Sequence, residues 1–359
     1  MIDCHVHLRD WNWSYKETIL HGLNVAEAIG LDGIFDMPNT DPAIISRELV
    51  KKRLEDAKKA NSPVFYGLYV GLTSNPFQIK EAIECYKEFF PKEGENAGVI
   101  GLKMFAGKSV GDLSVVSFED QLKVYETLAK LDYLGVLAVH CEKESEMHPE
   151  LWNPRDPISH CDARPKIAEI RSIEDQIKLA ETAQYKGHLH ILHVTTPESV
   201  DIINKNKKYL RISSGVTPNH LLLSNRVMRD RVFGIQEGIG YKVNPPLRDP
   251  LTKEELFQYF KDGAIDILES DHAPHSFEEK YERGYLSGIP GLTSWPRYLE
   301  LLVKEGASSD LIDNMTHPTV NRIFGTNIKK RGSKVDYQKL AVYAKDYALD
   351  PCEHLPAKV

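Results

Sequence analysis

Short apolar runs alternate with amphipathic segments along the whole chain. The apolar runs are predicted to form eight strands: Ile2–Leu8, Gly33–Met37, Val64–Leu72, Val99–Phe105, Val136–His140, His188–Val194, Leu210–Ser214 and Ile265–Ser270. The amphipathic segments are predicted to form helices over residues 19–30, 46–60, 76–90, 118–132, 167–186, 197–206, 252–261 and 293–305. Strand therefore alternates with helix from one end of the chain to the other.

Several of the predicted helices begin at residues that cap a helix N-terminus. Ser46 precedes Glu48, Ser117 precedes Glu119, and Thr196 precedes a Pro-Glu pair. Eight strand–helix repeats predict a parallel (β/α)8 barrel of the TIM type rather than an open, doubly wound sheet. In a barrel the first and last strands are neighbours, so residues from the two ends of the chain can meet in one site.

The predicted strands and helices fill most of the 359 residues. We predict a barrel domain over residues 1–325 and a C-terminal tail over 326–359 that packs on the barrel or on a partner. The tail holds one predicted strand, Leu340–Tyr343. Little of the chain remains for a second domain.

Composition and charge indicate the class of protein. The chain is 42% hydrophobic and 27% charged, which is typical of a soluble globular protein with a sizeable core. Its net charge is −7 and it has no basic block, which argues against nucleic acid or an anionic membrane as a partner. We find no membrane-length apolar run and no export signal in residues 1–20, and the five cysteines form no CxxC pair. A cytoplasmic location is expected.

The first strand carries the clearest chemical signal. Alternate side chains of a strand share one face, so His5 and His7 are predicted to point the same way, with Arg9 just beyond them. Zinc takes nitrogen and carboxylate ligands, and Asp271 at the end of the last strand supplies the carboxylate. By the same alternation Cys4 is predicted to face outward.

Other strand ends carry residues of matching chemistry. Active sites of such barrels lie at the carboxyl ends of the strands, where His140 and His193 stand, while Lys103 lies inside the fourth strand. A single buried histidine is more often a hydrogen-bonded structural residue, and Lys103 could form an ion pair inside the barrel because an unpaired buried ammonium is costly. Together, four histidines, a lysine and an aspartate predict a site for two metal ions. The remaining histidines of strand six, His188 and His190, have the opposite alternation to His193 and are predicted to lie on the outer face.

The motifs HVHLRD, MPNT, GLKMF, HCE, HVTT, VNPPLR and SDHAPH together closely resemble those of dihydroorotases, in the cyclic amidase branch of the amidohydrolase superfamily. The resemblance covers residues 2 to about 325. It implies two Zn²⁺ ions per chain, bridged by Lys103 in its N-carboxylated form. The implied metal ligands are His5, His7, Lys103, His140, His193 and Asp271. The implied substrate contacts are Arg9, Asn39 and His275 to a carboxylate, and Asn244 with the backbone near Pro290 and Gly291 to the pyrimidine ring.

The resemblance also implies a reaction. Dihydroorotases interconvert N-carbamoyl-L-aspartate and L-dihydroorotate in the de novo synthesis of pyrimidines, and Asp271 would act there as the catalytic general base and then general acid. The segment Ser276–Gly288 is interpreted as a mobile cover of the site, with an ordinary surface loop as the alternative.

The chain departs from the family pattern in two respects. Asp10 is followed by Trp11-Asn12-Trp13, where relatives often have Pro and Gly. The accessory β-sandwich of many relatives is expected to be absent or vestigial. A related cyclic amidase, such as an allantoinase or a dihydropyrimidinase (hydantoinase), stays open as an alternative, although it lacks the full set of carboxylate contacts.

A second alternative is a non-catalytic scaffold for aspartate transcarbamoylase, which the complete set of metal ligands disfavours. The expected partner is a small-molecule substrate, and the sequence leaves open a homo-oligomer or an association with aspartate transcarbamoylase.

Overall fold

The computed structural model of the protein describes residues 1–108, 113–229, 238–353 and 355. The strands are β1 Ile2–Val6, β2 Gly33–Asp36, β3 Phe65–Gly71, β4 Ala97–Ala106, β5 Val136–Cys141, β6 His188–Ile191, β7 Ile212–Val216 and β8 Ile267–Leu268. The α-helices are α1 Ile19–Ala28, α2 Arg47–Lys59, α3 Pro76–Phe89, α4 Phe118–Lys130, α5 Ser159–Ala163, α6 Lys166–Thr182, α7 Pro197–Asn206, α8 Pro218–Leu222, α9 Pro250–Lys261, α10 Trp295–Lys304, α11 Ser309–Thr316, α12 Pro318–Phe324 and α13 Tyr337–Tyr343. Within these residues no helix has both the length and the apolar character needed to cross a membrane.

The eight strands form one parallel sheet in the order β1 to β8, which confirms the predicted barrel. The sheet closes beyond the end of β8, where His272 pairs with Val6 in a parallel bridge and its carbonyl accepts a hydrogen bond of 2.8 Å from the His7 N–H. The two ends of the chain therefore meet. The described ranges contain no strand outside this barrel.

The predicted helix caps are present. The side chains of Ser46, Ser117 and Thr196 each accept a hydrogen bond from a backbone N–H in the first turn of α2, α4 and α7. Each helix therefore begins one residue after its capping side chain, which satisfies one of the free N–H groups of its first turn.

The interior of the barrel is apolar towards the amino ends of its strands. Ile2, Phe35 and Tyr69 belong to one buried cluster there, and Phe324 of α12 closes it with ring centroids 5.0 Å from Phe35 and 6.0 Å from Tyr69. Apolar side chains close the barrel at this end.

The sequence prediction was wrong for Cys4, His188 and His190, which face the barrel interior. The register of β1 against β2 shifts between Asp3 and Val6, so Cys4 and His5 both point inward despite being adjacent. His190 is fully buried with its ring 6.0 Å from that of Phe324, and His188 shares the Ser213 hydroxyl with it. Side chains stop alternating between the two faces of a strand at a β-bulge and beyond the end of the strand.

The predicted strand Leu340–Tyr343 was also wrong, because these residues form the last turn of helix α13. The Asp336 side chain caps that helix by accepting the N–H of Lys339. Leu340 and Tyr343, three residues apart, lie on one helical face, and the Tyr343 ring packs edge-on against His21 of α1. Residues 354 and 356–359 of the predicted tail lie outside the described residues.

Candidate metal centre

A narrow cavity of about 30 Å³ lies at the carboxyl ends of the strands. Nine of the residues predicted from the sequence line it: His5, His7, Arg9, Asn39, Lys103, His140, His193, Asn244 and Asp271. The other lining residues are Phe105, Val243, Ala273, Ser287 and Gly288. The fold therefore assembles most of the predicted site from six of the eight strands or the residues that follow them, and from the segment after β7.

His5, His7 and Asp271 form the first group in this cavity. Asp271 Oδ1 lies 3.2 Å from Nε2 of His5 and 3.2 Å from Nε2 of His7, and all three residues are buried. Burial lowers the pKa of His7 to about 3, so its imidazole is neutral. Burial raises the pKa of Asp271, but the nearby His5 and the hydrogen bond with His7 outweigh it and hold the pKa below its usual value. A neutral imidazole that faces a carboxylate is a suitable donor for a divalent metal.

His140 and His193 form the second group. His140 Nδ1 lies 3.1 Å from His193 Nε2, and burial lowers the pKa of both imidazoles. The other ring nitrogen of His140, Nε2, lies 3.1 Å from the Glu142 carboxylate, which Arg164 holds through a hydrogen bond of 2.6 Å from Nη2. A carboxylate behind a ligating histidine fixes its tautomer and ring orientation, so Glu142 leaves Nδ1 of His140 as the donor towards the cavity.

Lys103 stands between the two groups along the barrel wall. Among the described residues it forms no ion pair, so the alternative of an interior ion pair is not realised; its Nζ instead lies 4.4 Å from the centre of the Phe105 ring. Burial lowers its pKa from the ordinary lysine value to about 7. At neutral pH a large fraction of this amine is uncharged, and the uncharged amine is the form that reacts with carbon dioxide.

Arg9 brings a positive charge to the cavity. Its guanidinium is buried, with Nε bonded to the Pro274 carbonyl at 3.4 Å and Nη2 lying 3.4 Å from His275 Nε2. Its third nitrogen, Nη1, has no hydrogen-bond partner among the described residues. Burial lowers the pKa of Arg9 only to about 10, so the group stays charged at neutral pH. A buried, charged and partly unpaired guanidinium indicates a site for an anion.

Asn39 lines the cavity and contacts a predicted metal ligand. Its Oδ1 lies 2.6 Å from Nδ1 of His7. This contact directs the other ring nitrogen of His7, Nε2, towards Asp271. The structure therefore adds an orienting contact to a residue that the sequence assigned only to substrate binding.

Three predicted substrate contacts, His275, Pro290 and Gly291, do not line the cavity, whereas Arg9, Asn39 and Asn244 do. Ser287 and Gly288 lie there instead, while the Gly291 N–H donates to His272 Nδ1 at 3.1 Å. The segment interpreted as a cover contains a turn of π-helix at Glu278–Glu282. Glu279 of this segment lies 2.8 Å from Lys16 Nζ and 3.3 Å from Nδ1 of His275.

Sequence reasoning gave no role to Glu142 or Glu269. Both are fully buried carboxylates that contact predicted metal ligands: Glu142 contacts His140, and Glu269 contacts His5 and His193. The sequence did contain a signal, because a glutamate at the end of an apolar strand must find partners when it is buried. Which ligand each glutamate would contact depends on the closed barrel.

The donor set fits two divalent metal ions. His5, His7 and Asp271 place their donor atoms within 4.8 Å of one another, and His140 and His193 face each other nearby. The imidazoles of His7, His140 and His193 are neutral because burial lowers their pKa values. The nitrogen and carboxylate donors suit zinc in particular.

The chain is similar to curated proteins over nearly its whole length. It is 33% identical over 336 residues to a dihydroorotase from Pyrococcus abyssi, covering 92% of this chain and 69% of that protein. It is 32% identical over 338 residues to a dihydroorotase from Pyrococcus horikoshii, covering 92% of this chain and 67% of that protein. A dihydroorotase from Pyrobaculum aerophilum is 29% identical over 362 residues, which is 99% of this chain and 81% of that protein. No protein-family model matches the chain.

Solved structures share the fold. An L-hydantoinase (dihydropyrimidinase) from Arthrobacter aurescens superposes with a TM-score of 0.79 at 22% identity, covering 93% of this chain and 72% of that one. A dihydroorotase from Campylobacter jejuni superposes with a TM-score of 0.66 at 20% identity, covering 91% and 84%. At these identities the likeness concerns the fold alone, so the choice of substrate rests on the site.

Proposed function

The chain belongs to the dihydroorotase family, and from that premise we propose that it is a metal-dependent cyclic amide hydrolase that interconverts N-carbamoyl-L-aspartate and L-dihydroorotate in pyrimidine synthesis. The observation that carries the proposal is Arg9, a buried and charged guanidinium that lines the same cavity as the candidate metal ligands, with an Nη1 that has no hydrogen-bond partner in the described part of the chain. Dihydroorotate has a carboxylate on its ring, whereas dihydrouracil, hydantoin and allantoin have none.

The metal would be held by two groups of residues. His5, His7 and Asp271 would hold one Zn²⁺, His140 and His193 the second, and Lys103 would bridge them as its N-carboxylated form. Carboxylation joins the lysine nitrogen to the carbon of CO₂ with loss of one proton, which turns a neutral amine into an anion. Bound zinc would supply hydroxide near neutral pH by lowering the pKa of water to about 7.

The side chains of the chain carry out the rest of the reaction. Asp271 is ionised and buried, so it accepts the proton of the attacking water and delivers it to the ring nitrogen as the amide bond breaks. In the synthetic direction the same carboxylate removes a proton from the ureido nitrogen. Arg9 and His275 bind the substrate carboxylate, which fixes the ring with its amide carbonyl towards the metal ligands.

The cover segment excludes bulk water from this chemistry. A cavity of about 30 Å³ has space for water but not for a six-membered ring, so the substrate enters when the segment around Glu279 moves away. The contacts of Glu279 with Lys16 and His275 join this segment to the region of Arg9. We propose that the segment closes again over the bound ring.

Substitution of Arg9 by glutamine tests the proposed substrate. Loss of a charge-assisted hydrogen bond of about 1.5–3 kcal/mol should raise KM for dihydroorotate about 10–100-fold. Arg9→Lys keeps the charge without the two-pronged geometry, so its KM should lie between those of the wild type and Arg9→Gln. Steady-state kinetics of the three zinc-loaded proteins measure this. An unchanged KM in Arg9→Gln, or a wild type that does not turn over dihydroorotate, would refute the proposal.

A further inference from the structure

Glu269 is a buried carboxylate at the junction of the two halves of the metal centre. It follows β8 directly, two residues before Asp271, and is fully buried. Glu269 takes no part in the proposed reaction. Because burying a carboxylate costs free energy unless it is well bonded, its contacts indicate what it stabilises.

One oxygen of Glu269 contacts a predicted ligand from each metal group. Oε1 accepts the backbone N–H of His193 at 2.7 Å and lies 3.5 Å from Nδ1 of His5. The backbone of His193 has a φ of +35°, a region that side-chain-bearing residues rarely occupy. The hydrogen bond that the His193 N–H donates to Glu269 supports this conformation, which turns the His193 ring towards His140.

The other oxygen of Glu269, Oε2, contacts two side chains inside the barrel. Cys4 Sγ donates to Oε2 at 3.4 Å, and His190 Nε2 lies 3.5 Å from the same atom. The opposite nitrogen of His190, Nδ1, lies 2.8 Å from the Ser213 hydroxyl, which fixes the ring. At Gly215 a Cβ would lie 2.5 Å from the carboxylate, so only glycine leaves room for it. The surroundings of Glu269 are therefore shaped for a carboxylate in one position.

The Glu269 carboxylate lies behind the His5 ring and against the backbone of His193. Carboxylates in this position behind metal-bound imidazoles orient the ring and strengthen it as a donor.

We propose that Glu269 is a positioning residue for both metal ions, because one carboxylate contacts the His5 ring and the His193 backbone and so fixes a ligand of each metal group. The proposal rests on the metal dependence proposed above. It predicts that replacing the carboxylate of Glu269 by an amide weakens metal binding at both positions, although Glu269 itself does not bind the metal.

The test compares Glu269→Gln with Glu169→Gln. Glu169 is an equally buried carboxylate that accepts the N–H of Thr195 at 3.0 Å but contacts no predicted ligand, so it controls for the general effect of neutralising a buried glutamate. Zinc affinity of the whole protein is measured by competition with a chelator, and the visible spectrum of the cobalt-substituted protein is recorded. Glu269→Gln should weaken zinc binding about 10–100-fold and shift the cobalt spectrum, whereas Glu169→Gln should match the wild type in both.

Three results would overturn the proposal. The first is a wild-type zinc affinity in Glu269→Gln; if that protein also turns over dihydroorotate, only this inference fails and the proposed function stands. The second is a third equivalent of zinc in the wild type that disappears in Glu269→Gln and in Cys4→Ala, which would make Cys4, His190 and Glu269 ligands themselves. The third is a wild type that binds no zinc, which would refute the proposed function as well. A second variant, His190→Asn, is used if Glu269→Gln does not fold. It removes the imidazole next to Oε2 of Glu269 and should also weaken zinc binding.

Discussion

Replacement of Asp271 by asparagine is expected to lower kcat about 10²–10⁴-fold in both directions of the reaction. The asparagine side chain has the same size but cannot accept and return the proton. In the structure the Asp271 carboxylate lies 3.2 Å from both His5 and His7, and its φ of +48° holds it away from an ordinary strand geometry. No other carboxylate among the described residues lines the cavity, so none can take over the proton transfer.

The measurement is kcat for ring opening and ring closure, with the zinc content of each protein determined in parallel. Asp266→Asn is the matched control, because Asp266 lies just before the same strand at its opposite end and pairs with Lys207. The control should keep the wild-type kcat. Wild-type turnover by Asp271→Asn would show that the proton moves through another group.

Replacement of Lys103 by alanine is expected to remove bound metal as well as activity. An anionic bridge between two cations contributes to the binding of both. Loss of a residue that lies behind a metal ligand usually lowers metal affinity about 10–100-fold, and loss of the bridge should lower it further. The burial that lowers the pKa of Lys103 to about 7 favours the uncharged amine that forms the carbamate.

Metal analysis of the purified proteins checks this expectation. Lys143→Ala serves as the control, since Lys143 is a half-buried lysine paired with Asp175 outside the cavity. Lys103→Ala should contain less zinc than the two ions per chain expected for the control. Full zinc content and full activity in Lys103→Ala would contradict the proposed bridge.

The barrel could be predicted from the sequence because each strand and each helix has its own local sequence pattern. The alternation of apolar runs with amphipathic segments, and caps such as Ser46 and Thr196, depend on neighbouring residues only. The meeting of His5 with Asp271 then follows from closure of the barrel. For this reason nine predicted site residues lie around one cavity.

The wrong orientations predicted for Cys4, His188 and His190 share a physical cause, because the alternation of side chains along a strand holds only while the register is regular. The bulge in β1 turns Cys4 inward, and the positive φ of His193 turns its ring towards the cavity after β6 has ended. Leu340–Tyr343 has the apolar content of a short strand, but these residues form the last turn of a helix in which Leu340 is buried and Tyr343 packs on His21 of α1. Glu142 and Glu269 could not be assigned because their partners are distant in sequence and depend on three-dimensional packing.

The central claim is that the metal centre works on a ring that carries a carboxylate, since Arg9 faces the same cavity as the metal ligands. The most direct measurement is kcat/KM of the zinc-loaded protein for dihydroorotate, dihydrouracil, hydantoin and allantoin under identical conditions. We expect turnover of dihydroorotate, formation of dihydroorotate from N-carbamoyl-L-aspartate, and a preference of at least about 10–100-fold over the rings without a carboxylate. Turnover of dihydrouracil, hydantoin or allantoin without turnover of dihydroorotate would contradict the account.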